Sequence, residues 1–162
     1  EAQPLNSTKE IFFKKKNYKE VELKEFSILY LIINNLHVFE KRIELLSELK
    51  LYTEICVDFL NKIINFLSSG KIFETNALKE KFKQTKYSSL INDISALAPV
   101  KFITEIKKND DEILLIFDEI NNDLKKFELN QKIDNLEKKM IQNMNEETYK
   151  ELLDLKRQAN NS

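Results

Sequence analysis

A single glycine, Gly70, and two prolines among 162 residues constrain this chain more than any other feature of its sequence. Strands joined by tight turns rely on glycine for left-handed backbone, whereas helices do not need it. Hydrophobic residues make up 42% of the chain, which is too large a share for a disordered protein. We therefore expect an all-α fold: a multi-helix bundle followed by a long helix and a C-terminal helical hairpin.

The first strongly apolar segment predicts the centre of the bundle. Between residues 20 and 36, apolar side chains occupy almost every face of a helix, and such a helix is buried among others. Cys56 falls in an apolar helix and is predicted to be a core thiol. Because it is the only cysteine, an internal disulfide is excluded. Gly70 is predicted to cap that helix in left-handed conformation. Thr75 or Asn76 is predicted as the N-cap of the next helix.

A long helical stretch from about residue 112 to residue 144 changes its apolar face midway. One stripe contains Ile113, Phe117, Ile120, Leu124 and Phe127, and the other contains Leu129, Ile133, Leu136, Met140 and Met144. At 100° per residue the two stripes lie roughly 170° apart. Either the helix breaks there, or one continuous helix packs its two halves against different surfaces. Phe127, Glu128 and Leu129 are therefore the predicted hinge.

These patterns divide the chain into three parts. Residues 1–19 are a linker or tail, residues 20–127 form the bundle, and residues 128–162 form the hairpin, whose last helix is predicted to begin after an Asn145 N-cap. The chain begins with Glu1 instead of Met, so we expect it to be a piece of a longer protein.

The hairpin carries more apolar surface than it can cover. The last helix has an apolar arc about 160° wide, more than one antiparallel neighbour hides, and helices of about 13 residues are marginal alone. We expect the surplus to bind a partner. The predicted partner-binding residues are Ile141, Met144, Tyr149, Leu152, Leu153, Leu155 and Lys156. The alternatives are that the hairpin folds back on the bundle or associates weakly with a second copy.

Reactive groups are scarce, which argues against an enzyme. His37 is the only histidine and is expected to be structural, and one glycine cannot build a phosphate-binding loop. We expect no catalytic residue, no cofactor and no metal site. Net charge is −1 and only two residues are arginine, so direct nucleic-acid binding is not expected. The run of three lysines at residues 14–16 is predicted to be a solvated face or a linker. No apolar run reaches the length of a membrane span.

The order and pattern of the segments resemble the C-terminal helicase-binding domain of bacterial DnaG-type primases over residues 20–158. The matching segments are FLNKIINFL at 59–67, ALKEKF at 77–82, SLI at 89–91, FDEI at 117–120 and the closing NEETYKELLDLKR at 145–157. The resemblance implies a cytoplasmic module of DNA replication. Its hairpin would dock a primer-synthesising enzyme onto the N-terminal domains of the hexameric replicative helicase, within a primosome, and modulate that helicase.

The resemblance also implies where the chemistry of the parent protein lies. The parent would be a DNA-directed RNA polymerase, a transferase whose zinc and magnesium belong to domains N-terminal to this fragment. Two other binding or structural functions stay open: the N-terminal domain of the replicative helicase itself, which is similar in fold, and a self-associating helical bundle without a foreign partner.

Overall fold

The computed structural model describes residues 18–70, 74–104, 106–142 and 145–161, and these residues form helices without a strand. The all-α prediction is confirmed. The helices are α1 (Glu20–Ile33), α2 (Leu36–Glu40), α3 (Ile43–Glu48), α4 (Glu54–Ser68), α5 (Thr75–Lys81), α6 (Lys86–Leu97), a 3-10 helix (Pro99–Phe102), α7 (Asp110–Gln142) and α8 (Glu146–Asn160).

Contacts divide the chain into two compact units, one up to Ile120 and one from Asn121 onward. The sequence had suggested a boundary between residues 127 and 128. In the first unit, α1 is the central helix and packs against α6 and the 3-10 helix. Its residues Phe26, Ile28 and Leu29 are at most 2% exposed. Each such side chain contributes about 1.5–3 kcal/mol on burial, so the uniformly apolar α1 is the main source of cohesion in the bundle.

A carboxyl side chain lies inside that core. Glu25 on α1 is fully buried. Its carboxylate accepts hydrogen bonds from the backbone N–H of Tyr52 (2.8 Å), from the backbone N–H of Thr53 (3.2 Å) and from the Thr53 hydroxyl (2.5 Å). Thr53 is the N-cap residue of α4 but its side chain makes no cap hydrogen bond, and its hydroxyl donates to Glu25 instead. A carboxylate from α1 therefore accepts the N–H of the α4 N-cap residue and holds the chain in place just before the helix.

Two predicted helix ends have different outcomes. Gly70 follows α4 with a φ of +72°, so the left-handed cap is confirmed. The prediction that Thr75 or Asn76 caps α5 is wrong, since α5 begins at Thr75 and Glu74 stands at the N-cap without a side-chain bond. The Thr75 hydroxyl instead donates to the carbonyl oxygen of Ile33 at 2.8 Å. Tertiary contact with the end of α1 thus outweighs the local capping preference.

The core thiol is confirmed. Cys56 on α4 is fully buried and free. Burial in apolar surroundings raises the pKa of the Cys56 thiol to about 12, because desolvation disfavours the thiolate. This side chain therefore behaves as a small hydrophobic group at neutral pH.

The long helix predicted for residues 112–144 is α7. It runs without interruption from Asp110 to Gln142. The alternative in which the helix breaks near residue 128 is therefore wrong, and the continuous helix is correct. Phe127, Glu128 and Leu129 are half-buried residues within it. Glu128 pairs with Lys132 one turn later at 3.4 Å, a spacing that supports the helix locally.

Candidate docking surface

The second unit contains the later part of α7 and all of α8, and α8 begins at a locally encoded cap. Asn145 has extended backbone, and its side-chain oxygen accepts the backbone N–H of Thr148 at 2.7 Å. Glu146 and Glu147 occupy the first turn, where negative charge is favoured by the helix dipole. The predicted Asn145 cap is confirmed, and it fixes where α8 starts.

One ion pair defines how the two helices of the hairpin face each other. Lys156 Nζ on α8 lies 3.1 Å from Glu137 Oε1 on α7. Because the helices are antiparallel, this pair sets residue 137 level with residue 156. Ile141, one turn further along α7, is then level with Leu152, one turn earlier in α8. The ion pair also marks one side of the hairpin.

Leu152 is on the inner side of that hairpin. It is 7% exposed, and Leu155 is half-buried. On α7, Leu136 and Met140 are half-buried as well. Leu152 thus stabilises the hairpin itself and offers little surface to a partner.

Among the described residues of the hairpin, three large apolar side chains remain exposed. Ile141 is 86% exposed, Tyr149 is 50% exposed and Leu153 is 37% exposed. At 100° per residue, Ile141 lies about 40° from Glu137 around α7. Tyr149 and Leu153 lie about 20° and 60° from Lys156 around α8, whereas Leu152 lies about 40° from Lys156 in the opposite direction. All three therefore share the side marked by the ion pair. We call Ile141, Tyr149 and Leu153, bordered by Glu137 and Lys156, the docking face.

The size of this face limits what it can bind. At these exposures the three side chains offer roughly 300 Å² of apolar surface, the lower end of what functional surface patches present. A stable interface buries about 800 Å² on each partner. The docking face is therefore large enough for a weak or multivalent contact and too small to hold a tight dimer by itself.

Of the seven partner-binding residues predicted from the sequence, four lie at this face or its border: Ile141, Tyr149, Leu153 and Lys156. Leu152 is buried, Leu155 is half-buried, and Met144 lies outside the described residues. Glu137 was missed. The signal for it was the opposite charge of residues 137 and 156, which only becomes informative once the hairpin register is known.

Other candidate chemistry is sparse in the described part of the chain. His37 is exposed, and its Nε2 lies 3.7 Å from Asp110 Oδ1. Within the ranges that the structure describes, no group of three or more His, Cys, Asp or Glu side chains could hold a metal ion. None of the helices described above is long and apolar enough to cross a membrane.

Comparison of the chain with protein-family models, with curated proteins and with solved structures gives no match.

Proposed function

We propose that this chain is the helicase-interaction domain of a bacterial DNA primase, which docks the primer-synthesising enzyme onto the N-terminal domains of the hexameric replicative helicase. The observation that carries the proposal is the docking face: three apolar side chains on one side of a capped hairpin, with an ion pair at their border. Exposed apolar clusters of this kind are typical of protein-binding surfaces.

The modest size of the docking face fits such a partner. Association costs about 4–15 kcal/mol before any net affinity appears. Burying roughly 300 Å² of apolar surface contributes about 7–8 kcal/mol, so a single contact has little net affinity. A hexamer presents several equivalent sites, so several copies held together can add weak contacts by avidity. The face suits recruitment to a symmetric partner better than it suits a one-to-one tight complex.

The proposal assigns no reaction to this fragment. Primer synthesis, with its zinc and magnesium, would belong to domains N-terminal to it in the parent protein, and the working site would be the cytoplasm. The fragment would bring the enzyme to the replication fork and modulate the helicase.

The test is binding to the hexameric replicative helicase of the same organism, measured by surface plasmon resonance with the helicase immobilised. Tyr149→Ala and Leu153→Asp should each weaken binding about tenfold or more, as loss of a central apolar contact does. Leu115→Asp is the matched control, because Leu115 is an equally apolar helical residue, 63% exposed, in the first unit.

Leu152→Asp is not a suitable test, since placing a charge at that buried site would disrupt the hairpin. If neither Tyr149→Ala nor Leu153→Asp changes the affinity for the helicase, the docking face is not the binding site and the proposal is refuted. The self-associating alternative is tested separately by sedimentation: a stable dimer that Tyr149→Ala dissociates would replace the helicase with a second copy as the occupant.

A further inference from the structure

A second surface feature lies in the first unit, beside α4, where α5 turns into α6. A cleft of about 380 Å³ opens there. Its lining residues are Lys62 and Asn65 from α4, and Lys81, Phe82, Thr85 and Tyr87 from the α5–α6 corner. Pockets for small molecules begin at about 300 Å³, so the cleft has room for a compact ligand.

The back wall of the cleft is rigid. The rings of Phe82 and Tyr87 are nearly buried, and their centroids lie 5.6 Å apart. Each also packs on Phe59 in the core, at 5.7 Å for Phe82 and 5.6 Å for Tyr87. A wall of interlocked aromatic rings keeps its shape without a ligand. The cleft is therefore a preformed feature of the bundle.

Two lysines bring positive charge to this cleft. Lys81 Nζ lies over aromatic surface, 5.3 Å from the Phe66 centroid and 6.0 Å from the Phe82 centroid. Across the described ranges, neither Lys81 nor Lys62 has an acidic side chain at ion-pair distance. The nearby Asp58 is already paired with Lys86 at 3.3 Å. The local charge is thus positive although the chain as a whole is slightly negative.

Backbone strain is found at the same corner. Gln84 has a φ of +64°, an unfavourable conformation for a residue with a side chain. This turn places Thr85 at the N-cap of α6, where its hydroxyl donates to the Phe82 carbonyl at 2.5 Å and accepts the Tyr87 N–H at 3.2 Å. The positive end of the 12-residue α6 is thereby held at the rim of the cleft.

From these four observations we infer that the cleft binds the phosphate of a small phosphate monoester. Two ammonium groups match a phosphate dianion better than they match a single carboxylate. The Asn65 amide, which lines the same cleft, can donate to a phosphate oxygen. A nucleic acid is the less suitable ligand, because the chain has only two arginines and a net charge of −1.

The inference is independent of the docking face and is tested on the full chain by NMR titration at low salt. The probes are inorganic phosphate, ribose 5-phosphate and adenosine monophosphate, with ribose and adenosine as their unphosphorylated counterparts. The phosphorylated probes should shift the backbone resonances of Asn65, Lys81 and Thr85 with dissociation constants in the millimolar range or tighter. The counterparts should leave those resonances in place. If inorganic phosphate alone is sufficient, the site recognises the phosphate group and not the attached sugar.

Lys62→Gln and Lys81→Gln should each weaken binding about tenfold, the loss expected for one charge-assisted hydrogen bond. Lys41→Gln, at an exposed lysine between α2 and α3, is the matched control and should change the affinity less than twofold. Circular dichroism confirms that each variant is folded. No saturable shift at about 20 mM phosphate, equal losses in all three variants, or preferential binding of a single-stranded oligonucleotide lacking terminal phosphates would each overturn the inference.

Discussion

Replacing Glu25 with alanine tests whether a buried carboxylate on α1 secures the start of α4. The substitution leaves three donors without their acceptor: the backbone N–H groups of Tyr52 and Thr53 and the Thr53 hydroxyl. An unsatisfied buried donor costs about 1–3 kcal/mol. The lower end applies here, because the donors are only partly buried and because the substitution also removes a desolvated carboxyl group. We expect the free energy of unfolding to fall by about 3 kcal/mol.

Urea unfolding followed by circular dichroism at 222 nm measures this loss. With a denaturant slope of about 2 kcal/mol per molar urea, the midpoint should fall by roughly 1.5 M at an unchanged slope. Glu20→Ala is the control on the same helix: Glu20 is exposed and pairs only with Lys24 at 3.4 Å, and its loss should cost no more than about 0.5 kcal/mol. A loss below about 1 kcal/mol for Glu25→Ala, or one no larger than the control, would refute the capping role.

Three further predictions concern single groups. Burial raises the pKa of Glu25 above its usual 4.5, so the folded protein binds more protons than the unfolded chain and stability falls as pH rises through the folded pKa; Glu25→Gln should flatten that part of a plot of unfolding free energy against pH, and an unchanged slope would contradict it. Cys56, with its pKa raised to about 12, should react with Ellman's reagent only in urea, and rapid reaction in buffer would show that the thiol is accessible. Lys156→Glu should cost about 0.5 kcal/mol and be rescued by adding Glu137→Lys, since the pair is half-exposed; additive losses would argue against direct pairing.

The elements of the fold that depend on local rules could be predicted from sequence. The apolar run of α1, the Gly70 cap and the Asn145 cap each follow from a few neighbouring residues, and all three were correctly identified. The prediction of a Thr75 cap failed because the helix already begins at Thr75, whose hydroxyl bonds the Ile33 carbonyl, 42 positions away in sequence. Long-range pairing of this kind has no local signature.

The docking face was likewise predictable only in part from the sequence. The apolar excess of the hairpin could be predicted from its residues, and it placed Ile141, Tyr149 and Leu153 among the candidates. Which leucine faces inward could not be read, because Leu152 and Leu153 are adjacent and the hairpin register depends on one interhelical ion pair. The cleft beside α4 could not be predicted for a related reason: Lys62 and Lys81 come from different helices and line one cleft only in the folded bundle.

Helices α8 and α4 begin in different ways, and the difference matters for experiments on fragments of this chain. The N-cap of α8 is Asn145, three residues before Thr148, whose N–H it accepts. A synthetic peptide of residues 145–160 therefore retains the complete N-cap. α4 depends on Glu25, which is 27 and 28 positions from the amides of Tyr52 and Thr53. A fragment that begins after residue 34 lacks α1 and therefore Glu25, the acceptor at the start of α4. In such a fragment, loss of binding could reflect unfolding of α4 and would not locate the binding site.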